Sequence, residues 1–224
     1  MINRYTILLF IAAIIGLVSC KNNDEVFPPK VSTFFNVVNA STDTLNFYLN
    51  GTRQNNGSSI NPNAQSFYLT VPDGQQDYQF KKIGATTILF SVLLNLKDSA
   101  NTSLYIYGGS ASQTFTTNDV LLTYKAHPDT TQIRFVNVSP DAGSLNVTVG
   151  DTVSFNSQAF KSSTAFALTG GGKKEVKIFL AGAVTAKIDT NIVFLPGGIY
   201  TLYSKGLLNG KGNAIFDVGV ATNH

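Results

Sequence analysis

Val38-Asn39-Ala40-Ser41-Thr42-Asp43 and Val136-Asn137-Val138-Ser139-Pro140-Asp141 are one phrase written twice, 98 positions apart. After two extra residues in the second copy, Thr44-Leu45-Asn46-Phe47-Tyr48-Leu49 corresponds to Ser144-Leu145-Asn146-Val147-Thr148-Val149. Phe67-Tyr68-Leu69-Thr70 matches Phe166-Ala167-Leu168-Thr169, and Ile106-Tyr107 and Leu202-Tyr203 close the series. Several matches in one order exceed chance, so the chain reads as two copies of a unit of about 95 residues. Such a unit is long enough to bury its own core without disulfides.

Each copy is written in strands. From Thr33 onward the apolar residues come in short runs rich in Val, Ile, Phe, Tyr and Thr, among them Phe34 to Val38, Leu45 to Leu49, Ser66 to Val71, Tyr78 to Ile83, Thr87 to Leu94 and Leu104 to Tyr107. No window after residue 30 repeats apolar residues at three and four positions, so helices should be few and short. Asn50-Gly51 is a hairpin-turn signal, and Pro72-Asp73-Gly74 is a turn in which proline sets one dihedral and glycine accepts a positive one. Regular strand and turn spacing of this kind predicts an all-β chain of two tandem β-sandwich domains. Their expected extents are residues 31–126 and 127–224, divided near Ala126-His127-Pro128-Asp129, with Ala214 to Val220 as the last strand.

Ahead of the repeats lies a different composition. Arg4 is followed by an apolar run from Tyr5 to Val18, then Ser19 and Cys20. That is the layout of a secretory signal, and the run is shorter than the roughly 18 to 20 residues that span a bilayer. Leu17-Val18-Ser19-Cys20 resembles the lipobox of bacterial lipoproteins, which implies cleavage after residue 19 and lipidation, palmitate included, at Cys20. Residues 20–30, polar and ending at Pro28-Pro29-Lys30, read as a lipidated tether. Several acyl chains on one cysteine anchor firmly, each buried methylene contributing roughly 0.8 kcal/mol. The chain is therefore expected in the outer membrane, lipid-anchored, with its domains surface-exposed or facing the periplasm. Asp24 and Glu25 loosely resemble the surface-export signal of Bacteroidetes lipoproteins.

Phe135 to Val149, with Ser139-Pro140-Asp141-Ala142 at its turn, is similar to the opening of the domain-of-unknown-function 4397 family. Copy one departs from that pattern, with Thr42 in place of the proline and a shorter turn. The resemblance covers residues 33 to 205 loosely. It implies an immunoglobulin-like sandwich in envelope lipoproteins of the Bacteroidetes type, with no catalytic residues to carry over.

Composition narrows the chemistry further. Losing Arg4 from 16 basic residues leaves 15 against 13 acidic ones, a dispersed excess that does not suggest nucleic acid as a partner. The two histidines are His127, beside Pro128 in the expected linker, and the terminal His224, so a proton-transferring triad is not expected. With Cys20 the sole cysteine, no metal or cofactor site is expected. Asp43 and Asp141 are turn residues, whose carboxylates are expected to hold the following backbone amides rather than calcium. Gly170-Gly171-Gly172-Lys173-Lys174 lacks phosphate-loop spacing and reads as a hairpin turn before the strand from Glu175. Glu25 and Glu175 are too few for a ready glycosidase pair. Outward tyrosines among Tyr48, Tyr68, Tyr78, Tyr105, Tyr107, Tyr124, Tyr200 and Tyr203 would offer a stacking platform, but core filling is the expected role for most. Thr44, Ser99, Thr130 and Thr152 follow aspartate in a pattern resembling the Bacteroidetes O-glycosylation acceptor. The expectation is a non-enzymatic envelope lipoprotein acting as an interaction or adhesion module, held to the membrane through Cys20. The alternative is an accessory glycan-binding subunit of an outer-membrane nutrient-uptake system.

Overall fold

The computed structural model describes residues 32–120 and 129–223. Cys20, the tether, Tyr124, His127 and His224 lie outside these residues. The first repeat contributes β1 (Ser32–Asn39), β2 (Leu45–Leu49), β3 (Thr52–Arg53), β4 (Leu69–Pro72), β5 (Gly74–Lys82), β6 (Phe90–Leu96), β7 (Asn101–Ile106) and β8 (Thr114–Asn118). The second contributes β9 (Thr130–Asn137), β10 (Leu145–Val149), β11 (Val153–Gln158), β12 (Ser162–Ser163), β13 (Ala167–Gly170), β14 (Gly172–Leu180), β15 (Ile188–Phe194), β16 (Ile199–Lys205) and β17 (Asp217–Thr222). The described helical stretches are single 3-10 turns at Ala111–Gln113 and Gly212–Ala214, and none is long and apolar enough to cross a membrane.

Each repeat is a β-sandwich. Sheets ordered β4-β1-β7-β8 and β3-β2-β5-β6 form the first, and β12-β9-β16-β17, with β13 also on β9, and β11-β10-β14-β15 form the second. Phe35, Val37, Leu45, Phe47, Tyr78, Phe80 and Leu104 fill the first core, and Ile133, Phe135, Leu145, Val147, Val176, Ile178 and Leu202 the second. The central strands β1 and β9 are buried almost from end to end. The reason is that their second face is covered too: Val38 and Tyr105 pack with Val136, Tyr203 and Ala221 in a third apolar cluster. The two sandwiches thus join through the outer faces of the sheets that hold β1 and β9, and residues Val31–His224 form one compact unit. A strand buried on both faces loses the in-and-out alternation of a half-exposed one, which is why Phe34 to Val38 reads as a continuous apolar run.

The repeats match at an offset of 98 in β1, β4, β5, β6 and β7 and their counterparts β9, β13, β14, β15 and β16, whereas β2 and β10, after the two extra residues, are offset by 100. Thr33 donates to the Ala100 carbonyl (2.8 Å) and Thr131 to that of Gly198 (2.7 Å). Val37 N–H bonds to Ser66 Oγ (2.9 Å) and Phe135 N–H to Thr164 Oγ1 (3.0 Å). This corrects two of the sequence matches. Leu69 faces Phe35 as Ala167 faces Ile133, so Phe166 is the counterpart of Tyr68, one residue from the alignment that identity suggests. Leu104 faces Val37 as Leu202 faces Phe135, so Tyr203 answers Tyr105 and not Tyr107. Bulk drew the alignment to the nearest aromatic, whereas ladder register decides which face a side chain occupies.

Turn chemistry held where it had a mechanism. Asn50 and Gly51 take φ of +50° and +77° and join β2 to β3, and Gly74 takes +76° between β4 and β5. Gly170-Gly171-Gly172 is not a hairpin turn: β13 pairs with β9 and β14 with β10 and β15, so the glycines carry the chain from one sheet to the other. The strand expected from Ser66 begins at Leu69, because the Ser66 hydroxyl takes a ladder amide and Phe67 sits at φ +57°. The last strand runs Asp217–Thr222, later than expected, after the turn at Gly212–Ala214.

Candidate functional site at the seam between the repeats

The repeated phrase builds the same bracket twice. Asn39 Nδ2 donates to the carbonyls of Asp43 (2.7 Å) and Ile60 (2.9 Å), while its Oδ1 accepts the Ser41 N–H (3.1 Å). Asn137 Nδ2 donates to the carbonyls of Gly143 (2.8 Å) and Gln158 (2.9 Å), and its Oδ1 accepts the Ser139 N–H (3.3 Å). Both asparagines are fully buried, so each amide satisfies backbone groups that water cannot reach. The side chain holding the following amide is therefore the asparagine, which corrects the expectation for Asp43 and Asp141. Asp43 instead pairs with Lys82 (2.9 Å), and both Asp141 carboxylate oxygens accept the Leu208 N–H at 3.1 Å.

The two brackets lie at one pole, and between them opens a cavity of about 230 Å³. Ser41, Thr42 and Asp43 line one wall, Pro140, Gly206 and Leu207 the other, with Gln113 and Asn213 contributing amides. Tyr107 of the first repeat meets Phe160 of the second edge to face at 5.4 Å, beside the Lys161 ammonium. Its one lining carboxylate is already paired with Lys82. The cavity suits a small uncharged polar group, and its lining holds no nucleophile with a neighbouring base. Among the described residues no cluster of His, Cys, Asp or Glu would hold a metal ion.

Deeper in the seam is a buried ionic circuit. The Arg134 side chain is 2% exposed and Asp119 is fully buried; Arg134 Nη2 donates to Asp119 Oδ1. Asp119 also accepts from Thr117 (2.8 Å), Ser103 (2.5 Å) and the Tyr68 hydroxyl, so both carboxylate oxygens carry two donors. Arg134 Nε donates to Thr201 Oγ1 (2.8 Å), Thr201 to Asn223 Oδ1 (2.7 Å), and Asn223 Nδ2 to the Tyr68 hydroxyl (2.9 Å), closing the ring. Phe166 covers the guanidinium, 4.8 Å from its ring centre. Burial pulls the Arg134 proton affinity down, but Tyr105 and Asp119 outweigh it and the net direction is up, so the arginine stays charged. Burial first, and then the Asp119 charge, push the Tyr68 hydroxyl well above the usual range and keep it a donor.

Sequence reasoning named Asp43, Asp141 and the tyrosines but missed Arg134 and Asp119. A signal was present: Arg134 is a lone charge within Gln132 to Val138, a run otherwise written as a buried strand. Its partner comes from the end of β8, and nothing local announces that pairing. The described tyrosines are buried or half-buried, so none offers an exposed ring. Of the candidate glycan acceptors, Ser99 (φ +55°) and Thr152 lie exposed on turns, while Thr44 and Thr130 are half-buried at strand starts. Thr44 donates to Asn61 (3.2 Å), and Thr152 Oγ1 lies 3.0 Å from Thr169 Oγ1.

A family model described as Domain of unknown function (DUF4397) matches residues 33–148, running through the first sandwich into β9 and β10 of the second. No curated protein matches the sequence. Among solved structures the chain is similar to the crystal structure of CBMbc, of family CBM26, from Eubacterium rectale Amy13K in complex with maltoheptaose. That match has 12% identity, 86% of this chain and 97% of that one covered, and a TM-score of 0.28. It is also similar to the Bacillus anthracis TIE protein, with 10% identity, 81% of this chain and 35% of that one covered, and a TM-score of 0.24. At such scores neither likeness carries an argument about ligands.

Proposed function

The chain belongs to the DUF4397 family, and on that footing we propose that it is a non-enzymatic envelope lipoprotein, anchored through Cys20, whose double sandwich is an interaction module. The observation that carries this reading is the polarity of the body. Ser32 begins β1 at one end, where its carbonyl accepts the Ser99 N–H (3.0 Å). Both asparagine brackets and the seam cavity lie at the other end, past Asn39. Eight strand residues put the two ends about 26 Å apart. The hairpin tips near the far pole carry Ile83 and Val184, 61% and 95% exposed; Ile83 N–H bonds to the Thr44 carbonyl, and Ala181, at the start of the second tip, bonds to that of Ser144. A chain held by the stretch before Ser32 would turn this pole away from its membrane. A saccharide ligand, the alternative reading, would enter the seam cavity rather than a tyrosine platform.

Protease shaving of intact cells tests the proposal, with a Cys20→Ala chain as the control and a periplasmic protein as leakage marker. Digestion of the anchored form alone supports outward display of both sandwiches. Full protection overturns display at the cell surface and with it the adhesion role.

A further inference from the structure

The offset of 98 shared by β1, β5, β6 and β7 with β9, β14, β15 and β16 makes each sandwich a template for the other, and at one place the first lacks what the second has. Gly74 faces Leu96 as Gly172 faces Phe194, and Phe35 faces Thr102 as Ile133 faces Tyr200. In the second sandwich Phe194 and Tyr200 are both buried, their rings 5.3 Å apart and inclined at 63°, and the Tyr200 hydroxyl accepts the Leu195 N–H (3.1 Å). That pair closes the gap between the two sheets. In the first sandwich Leu96 and Thr102 are too small to do so, and an open slot of about 380 Å³ remains, bounded by Leu94, Leu96 and Lys97 on one side and Thr102, Thr116 and Asn118 on the other.

The slot is flanked by strands with a free edge. Among the described residues β6 pairs only with β5, and β8 only with β7. β6, Phe-Ser-Val-Leu-Leu-Asn-Leu, has no charge and no proline, the features that ordinarily protect an edge from pairing with another chain. Leu93, at its centre, is 62% exposed. Of the residues lining the slot Lys97 alone is charged, with no lining carboxylate to neutralise it.

We propose that this slot is a peptide-binding site: an extended segment of a partner protein adds to the edge of β6, inserts an aromatic side chain where the second repeat keeps Phe194 and Tyr200, and sets a carboxylate against Lys97. Backbone pairing supplies affinity in such strand addition, and the side-chain pocket supplies selectivity. A ring entering a preformed slot between two sheets, against Leu94, Leu96 and the threonine methyl groups, removes a large area from water at low entropic cost. The proposal rests on the reading of the protein as an interaction module and names the chemistry of one partner.

The test uses the full lipidated chain in phosphatidylcholine nanodiscs and a fluorescein-labelled blocked heptapeptide, Asp-Ser-Thr-Phe-Thr-Val-Ser, followed by fluorescence anisotropy. Binding is expected, and it should weaken at least about tenfold when the peptide phenylalanine becomes alanine. The double change Leu96→Phe with Thr102→Tyr, which imports the second repeat's plug, should abolish binding. Leu93→Lys alters only an exposed side chain, so the fold tolerates it, and it should weaken binding by a similar factor through the charged edge. Absence of binding at millimolar protein, equal binding of the alanine peptide, or binding unchanged in both variants overturns the slot. Such a failure alongside digestion in the shaving experiment removes this site alone and leaves the interaction reading standing.

Discussion

The two repeats share a backbone and differ in what they do with equivalent positions. Asn36 and Arg134 occupy the same place on β1 and β9, each reaching the next strand: Asn36 to Ser103 at 3.4 Å, Arg134 to Thr201 at 2.8 Å. Asp119 and Asn223 stand at equivalent ends of β8 and β17, their N–H groups bonded to the carbonyls of Asn101 and Ile199. One copy thus supplies the cation and the other the anion, each with a neutral amide at the mirrored position. The two faces are matched, and charges of opposite sign at their two mirrored positions make them complementary. Elsewhere the first copy stayed open at Leu96 and Thr102 while the second filled with Phe194 and Tyr200. The seam is where the copies need each other; the slot is where they differ in what they can accept.

The sharpest way to break the complementarity is Asp119→Asn, which gives the first copy the amide of the second and leaves Arg134 buried without a counter-charge. Removing one partner of a buried pair costs about 3–5 kcal/mol, and urea unfolding of the variant should show a loss of that size. Adding Arg134→Met should restore part of the loss, since the isolated charge then disappears. Either outcome bears on the seam, because the pair crosses it.

The bracket asparagines test whether the copies remain equal where they look equal. Asn39→Ala and Asn137→Ala each strand two carbonyls, and each should cost about 1–3 kcal/mol. Thermal melts of the two variants should agree closely. A large disparity would show that one bracket has become dispensable.

The smallest effect separates the cores. Tyr78 fills the first core where Val176 stands in the second, and its buried hydroxyl has no hydrogen-bond partner among the described residues. Tyr78→Phe should leave stability unchanged or raise it by about 1 kcal/mol at neutral pH. Burial pushes the Tyr78 hydroxyl up to about 12 from 10.0. Between those pH values the folded chain keeps a proton that the unfolded chain has released, so stability falls as pH rises. Burial also raises Tyr105 and Tyr203, so alkaline loss begins near pH 10 in the wild type. Denaturant midpoints across this range should fall less steeply in Tyr78→Phe.

Much of this was written locally. The duplicated Val-Asn-x-Ser-x-Asp phrase and the short strand runs were enough for two all-β sandwiches, because hydrophobic spacing and turn residues act over a few positions. Half of each asparagine bracket follows the same logic, the amide bonding residues two to six positions on, while its second carbonyl, Ile60 or Gln158, comes from 21 positions away. Register was legible only approximately: Phe67 and Tyr107 attracted matches that belong to Tyr68 and Tyr105, since a short slip changes little in composition, although one residue reverses the facing and two change the cross-strand partner. Glycines Gly170 to Gly172 announced a turn but not that it would cross between sheets, which depends on which strands β13 and β14 find.

By itself the sequence determined that this protein is a duplicated β-rich chain, for that feature is set by residue type and short spacing. Only the tertiary structure decided that the outer faces around β1 and β9 close on each other, that Arg134 meets Asp119 within them, and that one sandwich keeps a slot its twin has filled. Those outcomes depend on strands from distant parts of the chain meeting at one register, and a buried charge is tolerated only once its partner has arrived.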